Sequence, residues 1–296
     1  MGAYTIRELE NLSGIKAHTI RIWEKRYGLI SPQRTSTNIR TYRDTELKKL
    51  LNISILNRNG LKISKIAQLS SDEILSRINQ YTHDITSTES QIENLTLAMI
   101  DLDERRFEQV LARAVIKFGF EEAVIRVLYP FFVRIGLMWQ TDSINITQEH
   151  FISNLVRQKF FSAIDNLEMV DKPESKRFIF FLPDGELHEI GLLFYCYLAR
   201  KREYKTLYLG QSLPLKDLSD IAKTFPYDYI VTSITASLNK KGAADYIRLL
   251  SERFSDKILF ISGARVMDFS QEIPKNVKLI SSPQSFLDEI DALKNA

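Results

Sequence analysis

From residue 177 onward the chain alternates short apolar runs with helical stretches, and nothing else in it restricts the fold as much. RFIFFL, TLYLG, YDYIVTS, KILFISG and VKLISS read as five strands. Helices are expected over about 187–202, 214–224, 240–254 and 283–294, with a short one near 265–271. Strands alternating with helices in this way form a parallel sheet with right-handed crossovers, a Rossmann-like α/β domain over 177–296. Ligands of such sheets sit outside the carboxyl ends of the strands. The segment DGELHEIG follows the first strand and falls at that place.

The middle of the chain has a different rhythm. Residues 76–172 hold almost no glycine or proline beyond Gly119, Pro130 and Gly136. Helical stretches of about 88–102, 104–118, 121–139 and 147–169 follow one another with short connections. That is the pattern of a four-helix bundle. DKPESK, 171–176, reads as a linker.

Residues 1–75 begin with YTIRELENLSG, a short helix ending at Gly14, with Ile6, Leu9 and Leu12 at helical spacing. A turn leads into HTIRIWEKRYG, ending at Gly28, and helix–turn–helix is a DNA-binding arrangement. LISPQRTSTNIRTYRD then reads as a loop or short hairpin carrying Arg34, Arg40 and Arg43. Asp44 is expected to cap the next helix, which stops at Gly60. A short helix in LKISKIAQLS and another starting at SSDEIL, capped by Ser71 or Asp72, complete the segment.

Charge separates this head from the rest. Residues 1–70 carry 13 lysines and arginines against 5 acids, a net of +8, and the remaining residues carry 27 against 32, a net of −5. A basic block on a mildly acidic chain suggests a nucleic-acid module joined to something else, although a solvated charged face reads the same way. Cys196 is the only cysteine, which excludes an intramolecular disulfide and a thiolate metal cluster within one chain and suits a reducing, cytoplasmic setting. No run of about 18 apolar residues is present, so no membrane span is expected. The first residues, MGAYTIRELE, do not read as a signal peptide.

Several residues carry a resemblance to the winged helix-turn-helix of the MerR family. They are Tyr4-Thr5-Ile6, the run Thr19 to Glu24, Arg26 to Leu29, Pro32, Arg34, Arg40 and Tyr42. The resemblance implies contact with double-stranded operator DNA through Arg21, Arg34, Arg40, Tyr42 and Arg43. Arg21 lies near the start of the second helix, whose N-terminal end meets base edges in this motif. Arginines in the wing pair with phosphates. Trp23 and Tyr27 read as packing residues. Thr37 and Asn38 stand where the wing often has glycine, and asparagine tolerates a left-handed turn.

The rest of the chain resembles cobalamin-binding regulators of the CarH and LitR type. Trp139 is followed after nine residues by Glu149-His150, and Glu186-Leu187-His188-Glu189-Ile190-Gly191 forms a second signature. Forty-one residues separate Gly191 from Ser233, and 26 more separate Thr235 from Ser262-Gly263. The resemblance implies adenosylcobalamin as cofactor. Trp139, Glu149 and His150 would lie on its upper side, and His188 would be the lower ligand to cobalt. Glu186 and Gly191 complete that motif, and Ser233, Ser262 and Gly263 would hold the displaced nucleotide tail. Ser262 replaces the first glycine of the family's pair, and Thr235 replaces an apolar residue. Gln140 stands where light-responsive members carry a histidine.

From the residues alone, His188 also reads as a surface loop histidine, Trp139 as a bundle core residue, and Glu149-His150 as a helix start. A neutral imidazole is a good cobalt ligand, and an acceptor beside it usually fixes its tautomer. Ser233 could hold the tail, and Gly263 would let it pass close to the backbone. No enzymatic constellation stands out. The reading is a multi-domain, cytoplasmic transcriptional regulator: winged helix-turn-helix over 1–75, helical bundle over 76–172 and Rossmann-like domain over 177–296. It is expected to act as a dimer or tetramer formed through residues 76–296, and as a light-responsive repressor if the resemblance extends that far. The alternatives are a regulator of the same architecture without cobalamin, working through protein contacts or another ligand, and a cobalamin-dependent enzyme fused to a DNA-binding segment.

Overall fold

The structure, a computed structural model, describes residues 3–34, 39–58, 60–81, 87–140, 144–169, 172, 174–266 and 273–293. They fall into two compact units, Met1–Leu155 and Val156–Ala296.

In the first unit, strand β1 (Ala3–Tyr4) leads into α1 (Ile6–Ser13). Thr5 opens α1 with a capping box: its hydroxyl accepts from the Glu8 N–H, and the Glu8 carboxylate accepts from the Thr5 N–H. Gly14 closes α1 in the left-handed conformation, φ +70°. Helix α2 (Ala17–Tyr27) follows, and Gly28 closes it in the same way. The Glu10 carboxylate accepts from the Ala17 N–H at 3.0 Å, so α1 caps α2 across the turn.

Strands β2 (Gln33–Arg34) and β3 (Arg40–Arg43) form the wing, and the three-stranded order is β1-β3-β2. Tyr4 was expected at the head of α1, and Ala3 was assigned to no element. Together they form a strand, with Tyr4 opposite Tyr42, because the wing's central strand has an edge to fill. The wing tip with Thr37 and Asn38 lies outside the described residues.

Helix α3 (Asp44–Arg58) begins at Asp44, which is inside the helix rather than its cap. Its carboxylate accepts from the Tyr4 hydroxyl at 2.8 Å, and the Arg43 N–H turns to Glu46. Short α4 (Ile63–Ile66) and α5 (Ser71–Tyr81) follow. The cap of α5 is Ser70, paired reciprocally with Glu73, rather than Ser71 or Asp72.

Next come α6 (Thr88–Asp101), α7 (Glu104–Phe118) and α8 (Phe120–Ala123). A π-helical turn, Val124–Leu128, joins α8 to α9 (Tyr129–Gln140). Pro130 has no N–H to donate, and its ring crowds the carbonyl of Arg126, four residues back; the wider turn relieves both. Helix α10 (Ile146–Asp165) completes the expected set of helical stretches. Helix α6 is the axis of this unit. Every residue from Gln91 to Ile100 is buried, polar ones included, with α3 packed on one side and α7 and α9 on others.

The second unit holds the five-stranded parallel sheet. Its elements are β4 (Arg177–Pro183), α11 (Ile190–Lys201), β5 (Lys205–Leu213), α12 (Leu215–Thr224), β6 (Tyr229–Ser233), α13 (Lys240–Arg253), β7 (Ile258–Ser262), β8 (Val277–Leu279) and α14 (Pro283–Ala292). The strand order is β5-β4-β6-β7-β8. Residues of β4 alternate between two buried faces. Phe178 stacks on Phe180 and meets the rings of Tyr204, Tyr229, Phe260 and Phe286 tilted or edge-on, while Ile179 and Phe181 join Ile230, Leu259, Ile261 and Ile247. Burial on both faces explains the continuous apolar run.

Of the short helix expected near 265–271, Ala264–Val266 form a turn, and 267–272 lie outside the described residues. Strand β5 runs past Gly210, where the sequence suggested it ends. Its register against β4 shifts twice, and Gly210 (φ +79°) and Ser212 (φ +49°) carry the bulge.

Candidate functional site

The described wing and α2 present a basic surface. Arg21, Arg34 and Arg43 are exposed, and Thr19 and Ile22 flank Arg21 on the same helix. Arg34 lies directly opposite Arg40 across the β2–β3 pair. Like charges facing each other across strands are destabilising, and an anion between them removes that cost. Arg40 is also steered by Glu24, 3.4 Å from its Nε.

Tyr42, expected among the DNA contacts, is fully buried, and its hydroxyl donates to Glu24 at 3.2 Å. It supports the wing from beneath; the strand's alternation turns it inward while Arg43 faces out. Trp23 is buried, as expected of a packing residue, and the Arg26 guanidinium covers the half-buried Tyr27 ring.

The second cluster sits at the carboxyl end of the sheet. Glu186 is wholly buried. Its Oε1 accepts from the backbone N–H groups of Leu187 and His188, at 3.1 and 3.2 Å, and lies 2.6 Å from His188 Nδ1. Its Oε2 accepts from the N–H groups of Thr235, Ala236 and Ser237, at 2.8, 2.8 and 3.1 Å. Burial pushes this carboxyl up, but the His188 ring and the three N–H donors of the 235–237 turn outweigh it. They hold Glu186 well below the usual carboxylate range. A carboxylate on Nδ1 selects the tautomer protonated there, leaving Nε2 as the nitrogen with a lone pair for a metal. The His188 side chain is 58% exposed, so the ring reaches outward from this anchor.

The small residues expected around His188 divide. Gly191 is exposed in the first turn of α11, with open space where a Cβ would stand. Ser233 and Ser262 are buried register partners on β6 and β7, and the Ser262 hydroxyl donates weakly to the Thr232 carbonyl at 3.4 Å. Gly263 has a reason within the fold itself. At φ +108°, a Cβ there would stand 2.3 Å from the Ile234 carbonyl oxygen, so the β6–β7 packing alone demands glycine. Thr235 contributes its backbone N–H to Glu186.

Glu149 and His150 sit in the first turns of α10, with Glu149 accepting from the Ser153 hydroxyl at 2.8 Å and His150 exposed. Trp139 and Gln140 end α9, and their side chains lie outside the described positions.

Sequence reasoning missed the groups that hold the histidine loop from the side. The β5 bulge aims Gln211 at the Leu187 carbonyl (2.7 Å) and places the Ser212 hydroxyl between the Gly185 N–H and Asp184. The Tyr208 hydroxyl donates to Glu189 at 2.6 Å, and Arg157 of α10 pairs with the same carboxylate at 2.7 Å. Burial first, then the Glu189 carboxylate, drives the Tyr208 hydroxyl far above the usual phenol range. Gly210 inside an otherwise apolar strand was the available signal for the bulge. Arg157 carries none.

Among the described residues no group of three or more His, Cys, Asp or Glu side chains is placed to hold a metal ion. One oriented imidazole holds a bare ion poorly. It suits a metal whose other positions a macrocycle already fills, so the donor set fits a corrin.

Comparison with known proteins matches two stretches of the chain. Residues 4–73 match the model of the MerR HTH family regulatory proteins, and residues 91–161 match that of the B12 binding domain. The chain is a DNA-binding transcription regulator with a MerR-type domain and a cobalamin-binding module. The HTH-type transcriptional repressor CarH of Myxococcus xanthus is 26% identical over 257 residues, covering 84% of each chain. The repressor CarA of the same organism is 25% identical over 285 residues, covering 90% of this chain and 94% of its own. Among solved structures, a monomethylamine corrinoid protein of Methanosarcina barkeri aligns with 70% of this chain and all of its own, at 16% identity and TM-score 0.56. That likeness shows the fold. Among the described residues no helix is long and apolar enough to cross a membrane.

Proposed function

We propose that the chain is a repressor whose DNA affinity is set by adenosylcobalamin, with His188 as the lower ligand to cobalt. The observation that carries this is the Glu186–His188 pair. A fully buried carboxylate orders the ring through Nδ1 and leaves Nε2 for the metal. When bound, the cofactor supplies a light-sensitive cobalt–carbon bond. The protein's own residues hold and orient it: His188 below, Gly191 giving room over α11, and Ser233 and Ser262 receiving the tail. Trp139, Glu149 and His150 are assigned to the upper side by resemblance. Ligand would shift assembly between monomer and dimer or tetramer, and a dimer reads two half-sites.

An absorption spectrum of the protein, mixed with adenosylcobalamin in the dark and desalted, tests the reading. Retained corrin that His188→Ala fails to retain supports it, and no retained corrin overturns it. A spectrum unchanged by illumination removes the light response alone.

For DNA, Arg21 reads a base, and Arg34, Arg40 and Arg43 hold phosphates. In a gel-shift titration Arg21→Ala should cost about 1–3 kcal/mol on the specific site. Arg40→Ala should weaken all DNA and lower the salt slope by about one unit. An unchanged Arg21→Ala would dismiss α2 as the reader.

A further inference from the structure

The loop 184–189 is held by groups that the cobalamin reading does not use. Glu189 follows His188 and ends the loop at the start of α11, and its side chain is 8% exposed. Arg157 grips one carboxylate oxygen at 2.7 Å, and the Tyr208 hydroxyl donates to the other at 2.6 Å. At the loop's opposite end, Ser212 holds Gly185 and Asp184, while Gln211 holds the Leu187 carbonyl in between. Each grip other than Arg157 comes from β5: Tyr208 pairs in register with Phe180, and beyond it a bulge gives up regular pairing with β4 where Gln211 and Ser212 reach the loop.

A surface loop needs no such restraint, and a bulge in a parallel sheet is costly to keep unless it aims side chains. Glu189 and His188 share a peptide bond, so fixing one fixes the backbone from which the imidazole projects. Ligand geometry must be held to fractions of an ångström for a metal bond to form well.

We propose that Glu189, gripped by Arg157 and Tyr208, is a positioning residue for His188. Through it, α10 and β5 set the direction in which the ring presents Nε2. What His188 binds rests on the function proposed above; how it is held does not.

The test uses the full-length protein labelled with 15N-histidine. The chain has four histidines, and a His188→Asn variant assigns the signal. Without cofactor, the 15N shifts report the His188 tautomer. With aquocobalamin as probe, affinity reports the metal bond. Wild type should show the Nδ1-protonated form in large excess. Tyr208→Phe, which removes one hydroxyl, and Glu189→Gln should both move the tautomer towards an even mixture. Both should weaken aquocobalamin binding about tenfold. Arg157→Met should do the same, and Arg157→Lys should recover part of it.

A latch that merely holds α10 on the sheet would lower the melting temperature and leave the tautomer alone. That result in the folded Tyr208→Phe and Glu189→Gln proteins overturns the proposal. If wild type binds no cobalamin, the proposed function fails, and the tautomer shift still decides this inference.

Discussion

Two glutamates of this chain are equally closed to solvent and meet opposite fates. Glu93, on α6 beneath the DNA-binding segment, and Glu186, at the carboxyl end of the sheet, are both wholly inaccessible. Glu93 has the Ser54 hydroxyl and the Arg58 guanidinium on one oxygen, each at 3.1 Å, and its other oxygen has no partner among the described residues. Burial then outweighs Arg58, Ser54 and Arg134, and its carboxyl is pushed up to about 7. Glu186 meets N–H donors on both oxygens and is held the other way. Loss of solvent access alone therefore does not decide whether a carboxylate keeps its charge; the donors aimed at it, set against how deeply it is packed, do. Backbone N–H groups at a strand end supply donors at fixed positions. Side chains between two packed helices supply few.

The largest expected effect tests the Glu186 side. Glu186→Ala strands the N–H groups of Thr235, Ala236 and Ser237 and frees His188. It should cost about 3–5 kcal/mol in the second unit. Both tryptophans, Trp23 and Trp139, lie in the first unit. A denaturant transition that moves in far-ultraviolet dichroism but not in tryptophan fluorescence would locate the loss there. An unchanged dichroism transition would break the comparison.

The next effect is the pH response of Glu93. Its folded carboxyl binds a proton more tightly than the ordinary value of 4.5 allows. That stabilisation is fully present below pH 4.5 and lost as the pH rises through about 7. The swing is roughly 3 kcal/mol at most, at about 1.4 kcal/mol per unit. Fluorescence-detected stability of the first unit should fall across this window, and Glu93→Gln should flatten the curve. Glu186 has the reverse sign: its contribution is present above pH 4.5 and declines in more acidic solution. Equal slopes in wild type and Glu93→Gln would count against the buried, protonated reading.

The smallest effect belongs to a carboxylate that keeps contact with water. Glu24 holds Arg40 and the Tyr42 hydroxyl at the wing, with its side chain 20% exposed. Glu24→Gln should change stability by no more than about 1 kcal/mol. A larger loss in thermal unfolding would mean that water does not stand in for missing donors as the comparison assumes.

Much of this was readable from residue order because it depends on neighbours along the chain. Gly14 and Gly28 mark helix ends through their own backbone freedom. The alternating strands and helices announce a parallel sheet through period alone. Glu186 and His188 are two residues apart, so their pairing lies within reach of one loop. The basic first 70 positions suggest a nucleic-acid module, and the motif residues from Thr19 to Tyr42 narrow that to DNA.

Other features depend on segments far apart in sequence, which leave no period behind. Ala3 and Tyr4 become a strand only because β3 offers an edge. Tyr42 is buried because α2 and α3 close over that face of the wing. Gly263 is required by the approach of Ile234, a contact that no spacing discloses. Glu93 becomes an interior group only when α3 lies on α6, and Arg157 finds Glu189 only when α10 and the start of α11 come together. A sequence fixes what each residue can offer as donor, acceptor or apolar surface. Which offers are taken up, and which are left buried without a partner, is decided when distant segments pack and water is excluded from between them.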